Sequence, residues 1–189
     1  MNTANKLTIL RVLLVPVFLV FLYLKIPLNY LWALLVFIAA SVTDLLDGKI
    51  ARKQNTITNF GKFLDPLADK ILVIAAMIAF IGMGLAHPIA VILVIVREFV
   101  VSGIRLIAVS GKGKVIDANW WGKVKTTLQL IVIITVLTFL EFGRIIESEA
   151  VINITNVGSN IGMWVVGVFT ALSGVKYVTE NKDIFKDIT

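Results

Sequence analysis

The chain has no cysteine and a single histidine. Without thiols there are no disulfides and no thiolate metal sites. Charge is also scarce: Asp, Glu, Lys and Arg make up 16% of the residues, against about 25% in an ordinary soluble domain. No convincing internal repeat is present, which weighs against transporter folds assembled from two related halves. The first apolar stretch lacks a small-residue cleavage site, so it reads as a first helix and not as a removed signal peptide. No segment has the composition of a separate soluble domain, and residues 1–189 read as a single membrane domain.

What is present is apolar surface. Hydrophobic residues make up 58% of the chain and the mean hydropathy is +0.93, the profile of an integral membrane protein. A membrane span needs about 20 mostly apolar residues, and six stretches qualify: about 7–25, 29–47, 66–85, 88–110, 124–142 and 157–178. The breaks fall at Pro27-Leu-Asn, at Gly82 to Pro88, at Gly111-Lys-Gly113-Lys, and at the charged run from Glu141 to Glu149. The expected fold is therefore all-α, a bundle of six transmembrane helices joined by short connections.

The net charge of +6 is compatible with nucleic acid or with an anionic membrane surface. The basic residues flank apolar spans, which favours the membrane and excludes nucleic acid as a partner. With the N-terminus inside, one side receives Lys6, Arg11, Lys49, Arg52, Lys53, Lys62, Lys70, Lys112, Lys114, Lys123, Lys125, Lys176, Lys182 and Lys186. The other side receives Lys25 and Arg144. Loops rich in Lys and Arg stay in the cytoplasm, so both termini are expected there, in a multi-pass protein of the cell (plasma) membrane.

Against this background four carboxylates stand out. The chain reads Asp44-Leu-Leu-Asp47-Gly48-Lys-Ile-Ala51-Arg52 and then Gly61-Lys-Phe-Leu-Asp65-Pro-Leu-Ala-Asp69. On helices, residues three or four apart share a face, so each pair projects from one side. Two such helices side by side bring all four together at the cytoplasmic edge. Grouped carboxylates are hard oxygen donors suited to Mg²⁺ or Mn²⁺, and also to Ca²⁺. Two ions about 4 Å apart form a clamp for a diphosphate. The plainer reading pairs the aspartates with Lys49, Arg52 and Lys70 in a solvated loop. The glycine directly after the second aspartate and the Ala-Arg at fixed offset argue against it.

The full pattern, Asp-x2-Asp-Gly-x2-Ala-Arg-x8-Gly-x3-Asp-x3-Asp, is met by Asp44, Asp47, Gly48, Ala51, Arg52, Gly61, Asp65 and Asp69. It resembles the signature of the CDP-alcohol phosphatidyltransferases. The resemblance implies that Asp44, Asp47 and Asp65, with Asp69 close by, hold two divalent ions, and that Asp69 is the general base. It further implies a CDP-diacylglycerol site at Asp47, Gly48, Ala51, Arg52 and Gly61, with the small residues admitting cytidine and Arg52 meeting the diphosphate. A homodimer among membrane lipids is the implied assembly.

Which alcohol accepts the phosphatidyl group must be read elsewhere. Arg105, Lys123 and Lys125 lie at the cytoplasmic ends of the fourth and fifth spans, where several cations can meet a phosphate on the acceptor. Arg97 and Glu98 lie within the fourth span; a role in substrate binding and separate structural partners remain equal alternatives. The stretches Arg97-Glu98-Phe-Val-Val-Ser102-Gly103-Ile-Arg105 and Gly122-Lys123-Val-Lys125-Thr126-Thr-Leu-Gln129, with Asn5-Lys-Leu7-Thr8-Ile-Leu-Arg11, resemble the phosphatidylglycerophosphate synthase branch of the family. Its acceptor is sn-glycerol 3-phosphate. Acceptors of related branches, namely phosphatidylglycerol (giving cardiolipin), inositol phosphate and serine, are the alternatives. A divalent-cation transporter is the reading from another class, but carboxylates at one edge beside basic residues suit it poorly.

Overall fold

The structure, a computed structural model, describes residues 3–54, 59–112 and 120–182, with side chains described for 8–43, 68, 70–106 and 120–182. These residues form six helices and no strands: α1 (Thr3–Tyr23), α2 (Asn29–Gln54), α3 (Asn59–Gly82), α4 (Pro88–Lys112), α5 (Trp120–Ile145) and α6 (Glu149–Glu180). α5 and α6 are long and apolar enough to cross a membrane, while Thr8–Tyr23, Asn29–Thr43 and Lys70–Gly82 are shorter apolar stretches. α2 and α3 both continue as helix through the aspartate motif.

The core forms where apolar residues recur at helical spacing. Ala33, Phe37 and Ala40 of α2 and Leu72, Ala76 and Phe80 of α3 are buried, and Phe18 of α1 meets Phe37 with ring centroids 5.7 Å apart. Around them pack Ile133 and Leu137 of α5 and Met163 and Val166 of α6. α1 lies against α2 and α3, and α6 against α4 and α5. The α6–α4 contact is close because Gly167 has no side chain: a Cβ there would stand 2.8 Å from the Ala90 carbonyl oxygen. Further along the same face, a Cβ at Gly174 would stand 2.7 Å from Cγ of Arg97.

One end of the bundle is tied by polar contacts across the helices. The Tyr23 hydroxyl donates to the Ala79 carbonyl at 3.3 Å, and Asn160 Nδ2 donates to the Gly84 carbonyl at 3.0 Å. Glu141, buried, accepts from the backbone N–H groups of Tyr30 and Leu31 at 2.9 and 3.2 Å. It thereby caps the positive N-terminus of α2 from another helix. Arg144 donates to Asn29, whose amide donates to the Leu22 carbonyl at 3.1 Å. These contacts gather the ends of α1, α3 and α5 with the starts of α2, α4 and α6.

The break expected in the run from Glu141 to Glu149 is present but short, three residues from Ile146 to Ser148. α5 continues to Ile145 and α6 starts at Glu149, with Ser148 as its cap accepting from Val151 N–H at 3.4 Å. The charges belong to helices because Glu141 and Arg144 have partners on α2. At the N-terminus, α1 is continuous through Pro16, and Thr8 and Arg11 are buried. Arg11 thus faces the bundle.

Candidate active site

The aspartate motif falls on two helices joined by a four-residue connection. Asp44, Asp47, Gly48, Ala51 and Arg52 lie in α2; Gly61, Asp65 and Asp69 lie in α3. The side chains of all eight lie outside the described residues. Counted from the connection, Asp44 and Asp69 are each ten residues away, at a depth of about 15 Å, and Asp47 and Asp65 are seven and six away, at about 10 Å. The helices thus carry their carboxylates at matching levels. Among the residues with described side chains, no group of three or more His, Asp or Glu could hold a metal.

Directly after Asp69, Lys70 lines a cavity of about 400 Å³ shared by α3, α4 and α5. Its walls bring together Arg97, Glu98, Arg105, Lys123 and Lys125, so among the described residues five cations, Lys70 included, share it with one carboxylate. The three acceptor residues expected from sequence all line it. They stand in different states. Lys123 is exposed. Lys125 is buried and hydrogen-bonded to Glu98. Arg105 donates through Nε to the Tyr177 hydroxyl at 3.2 Å, with its guanidinium carbon 5.5 Å from the centre of that ring.

Arg97 completes the wall. Its Nη1 lies 3.8 Å from Glu98 Oε1, and its stem lies over Gly174 of α6. Its buried Nε has no hydrogen-bond partner, as is the case for Nε2 of Gln129, one turn beyond Lys125. Buried polar groups without partners are uncommon and mark functional sites when they cluster. Glu98 serves as the one counter-charge, held between Lys125 and Arg97. Of the two alternatives for this pair, Glu98 has a structural partner in Lys125, while Arg97 joins the cavity wall.

Small residues of the last span, Gly167 and Gly174 among them, read from sequence as sites of close helix packing, and both lie against α4. Sequence reasoning missed Tyr177, because its contact with Arg105 is 72 positions away in sequence. The available signal was an aromatic residue at the basic end of a span. Trp121 beside it packs against Phe169, centroids 5.5 Å apart, and under the Lys176 ammonium at 4.9 Å.

A model of the CDP-alcohol phosphatidyltransferase family matches residues 1–172. The chain belongs to that family. A Bacillus subtilis (strain 168) protein named CDP-diacylglycerol--glycerol-3-phosphate 3-phosphatidyltransferase is 39% identical over 198 residues, spanning 98% of this chain and 97% of its own length. A Rickettsia bellii protein of the same name is 36% identical over 188 residues, with 97% of both chains covered. Its Escherichia coli (strain K12) namesake is 40% identical over 135 residues, 69% of this chain and 73% of its own. As a CDP-alcohol phosphatidyltransferase with two helices long and apolar enough to cross a bilayer, the chain is a membrane protein. Tyr177 lies beyond the stretch the family model matches.

Proposed function

We propose that this phosphatidyltransferase moves the phosphatidyl group of CDP-diacylglycerol to sn-glycerol 3-phosphate, giving phosphatidylglycerol phosphate and CMP. The observation that carries the acceptor is the cavity with five cations to one carboxylate, beside the helix that bears Asp69. A phosphorylated, water-soluble alcohol fits it, and serine does not. The full-length relatives carry that activity in their names.

In this reading Arg105 and Lys123, with Arg97 behind them, hold the acceptor phosphate, and the Glu98–Lys125 pair fixes the floor. Asp69, one residue before Lys70, takes the proton from the acceptor hydroxyl. The freed oxygen bonds to the β-phosphorus of CDP-diacylglycerol, the bond from that phosphorus to the bridging oxygen breaks, and CMP departs with that oxygen. Gly48 and Ala51, with Gly61 opposite, leave room for cytidine along α2, and Arg52 and Asp47 bind the diphosphate end. Positioning and charge neutralisation account for most of catalysis in phosphoryl transfer.

The family generally depends on a divalent metal. Four carboxylates at matching depths on two helices are hard oxygen donors that fit Mg²⁺ or Mn²⁺, and Asp44, Asp47, Asp65 and Asp69 are the residues we assign to two ions. Bound there, the ions neutralise the diphosphate and stabilise the departing oxygen.

The same reading places all six helices across the plasma membrane as one domain over residues 1–189, both termini and the active site on the cytoplasmic side, in a homodimer. The bias of Lys and Arg to one end supports this orientation. The test is CMP release by purified protein in micelles of CDP-diacylglycerol with Mg²⁺ or Mn²⁺. Glycerol 3-phosphate, phosphatidylglycerol, inositol 1-phosphate and serine are compared in parallel. Metal-dependent release with glycerol 3-phosphate alone is expected; release with another acceptor overturns the acceptor, and silence with all four overturns the reaction.

A further inference from the structure

The end of the bundle far from the aspartates is poor in positive charge. Its connecting segments and helix ends hold two cations, Lys25 after α1 and Arg144 in the last turn of α5. They are 119 positions apart in sequence, yet both line one cavity of about 430 Å³, together with Leu22, Asn29, Tyr30 and Met83. A residue type nearly excluded from this end has been kept twice, and the fold brings both copies to one place.

The two cations are differently prepared. Arg144 is held by its hydrogen bond to Asn29, and Asn29 is itself buried and anchored to the Leu22 carbonyl. A guanidinium has five N–H donors, so an oriented fork remains for a ligand. Lys25 is exposed and has no hydrogen-bond or ion-pair partner among the described residues. The nearest buried carboxylate, Glu141, holds its Oε2 to two N–H groups at the start of α2 and does not line the cavity. Glu147 and Glu149 are exposed and do not line the cavity.

We infer that this cavity binds the phosphate of an anionic phospholipid headgroup, with Arg144 as the oriented fork and Lys25 as the mobile second cation. The chemistry required is a phosphate ester; two cations in a cavity with no carboxylate among its lining residues select it over a neutral or cationic group. The lipid source is favoured over free phosphate by the surroundings. Leu22 and Met83 form apolar wall, and Val20, Leu24 and Ile145 are exposed beside the cavity, where acyl chains can lie. The site is separate from the transferase site and does not depend on the acceptor assigned above. Its occupant bridges the α1–α2 turn and the end of α5, and so braces α2, the helix that carries Asp44 and Asp47.

The test uses the full chain in phosphatidylcholine nanodiscs doped with phosphatidylglycerol, counting bound lipid by native mass spectrometry. Lys25→Gln removes an exposed side chain with no partner among the described residues, so folding is expected to be unaffected; Arg144→Lys keeps the charge and loses the fork. Each is expected to weaken phosphatidylglycerol binding about tenfold, while Lys176→Gln, a cation at the other end, leaves it unchanged. Equal binding by wild type and Lys25→Gln overturns the site, as does an equal loss in Lys176→Gln, which would reveal general charge attraction. Displacement of the bound lipid by millimolar inorganic phosphate overturns the lipid assignment and makes free phosphate the ligand.

Discussion

The two ends of this bundle treat charge in opposite ways. At the α1–α2 turn, Glu141 meets two backbone N–H groups and Arg144 meets Asn29, so the buried polar groups close on one another across helices. At the other end, among the described residues, five cations share a cavity with a single carboxylate, and Arg97 Nε and Gln129 Nε2 are left without partners. The difference lies in where polar groups are satisfied: inside the first end they close on one another and tie helices together, with Lys25 exposed at its rim, whereas in the second the donors without partners lie buried inside the bundle. Leaving a buried donor unsatisfied costs about 1–3 kcal/mol, a cost that a bound phosphate removes.

The contrast can be broken by substitution. Asp69→Asn is expected to have the largest effect, lowering turnover about 10²–10⁴-fold with nucleotide binding kept; full turnover in a CMP-release assay would remove Asp69 as base. Glu98→Ala leaves Lys125 buried without its counter-charge. A loss of about 3–5 kcal/mol in stability is expected, visible as a lowered unfolding temperature, and an unchanged midpoint would show that Lys125 finds another partner. Arg105→Ala is expected to raise KM for glycerol phosphate about tenfold or more, with KM for CDP-diacylglycerol unchanged.

Smaller changes sharpen the same distinction. Glu141→Gln removes a charged cap from α2 and is expected to cost about 1–2 kcal/mol of stability while KM for both substrates holds, as suits a structural end. Tyr177→Phe keeps the ring beside Arg105 and removes the hydroxyl that accepts its Nε hydrogen. A rise in KM for glycerol phosphate of a few-fold is expected, about 1 kcal/mol, and no added effect in an Arg105→Ala background.

What was legible in the sequence followed from distance along the chain. The aspartate motif sits within 26 consecutive residues on two helices, so helical spacing alone orders it. Arg105, Lys123 and Lys125 were legible as cations at span ends, and they do share a cavity. The last span was read as starting near 157 where α6 starts at Glu149, and the fifth as ending at 142 where α5 runs to Ile145, past Glu141, whose charge is a cross-helix cap and not a loop signal. The Glu98–Lys125 pair, the Arg105–Tyr177 contact and the space at Gly174 join positions 27 to 77 apart. No local pattern encodes such pairings, since they exist only once α4, α5 and α6 have packed.

That dependence on the last helix has a bearing on the order in which the protein comes into being. A nascent chain that has emerged as far as α3 already carries every aspartate of the motif, but neither Arg105 nor the Tyr177 that holds it. Arg105 gains its Tyr177 partner only as α6 docks, its Gly167 and Gly174 letting it settle against α4. A half-inserted or truncated product is thereby left with the motif and with Arg105 unanchored.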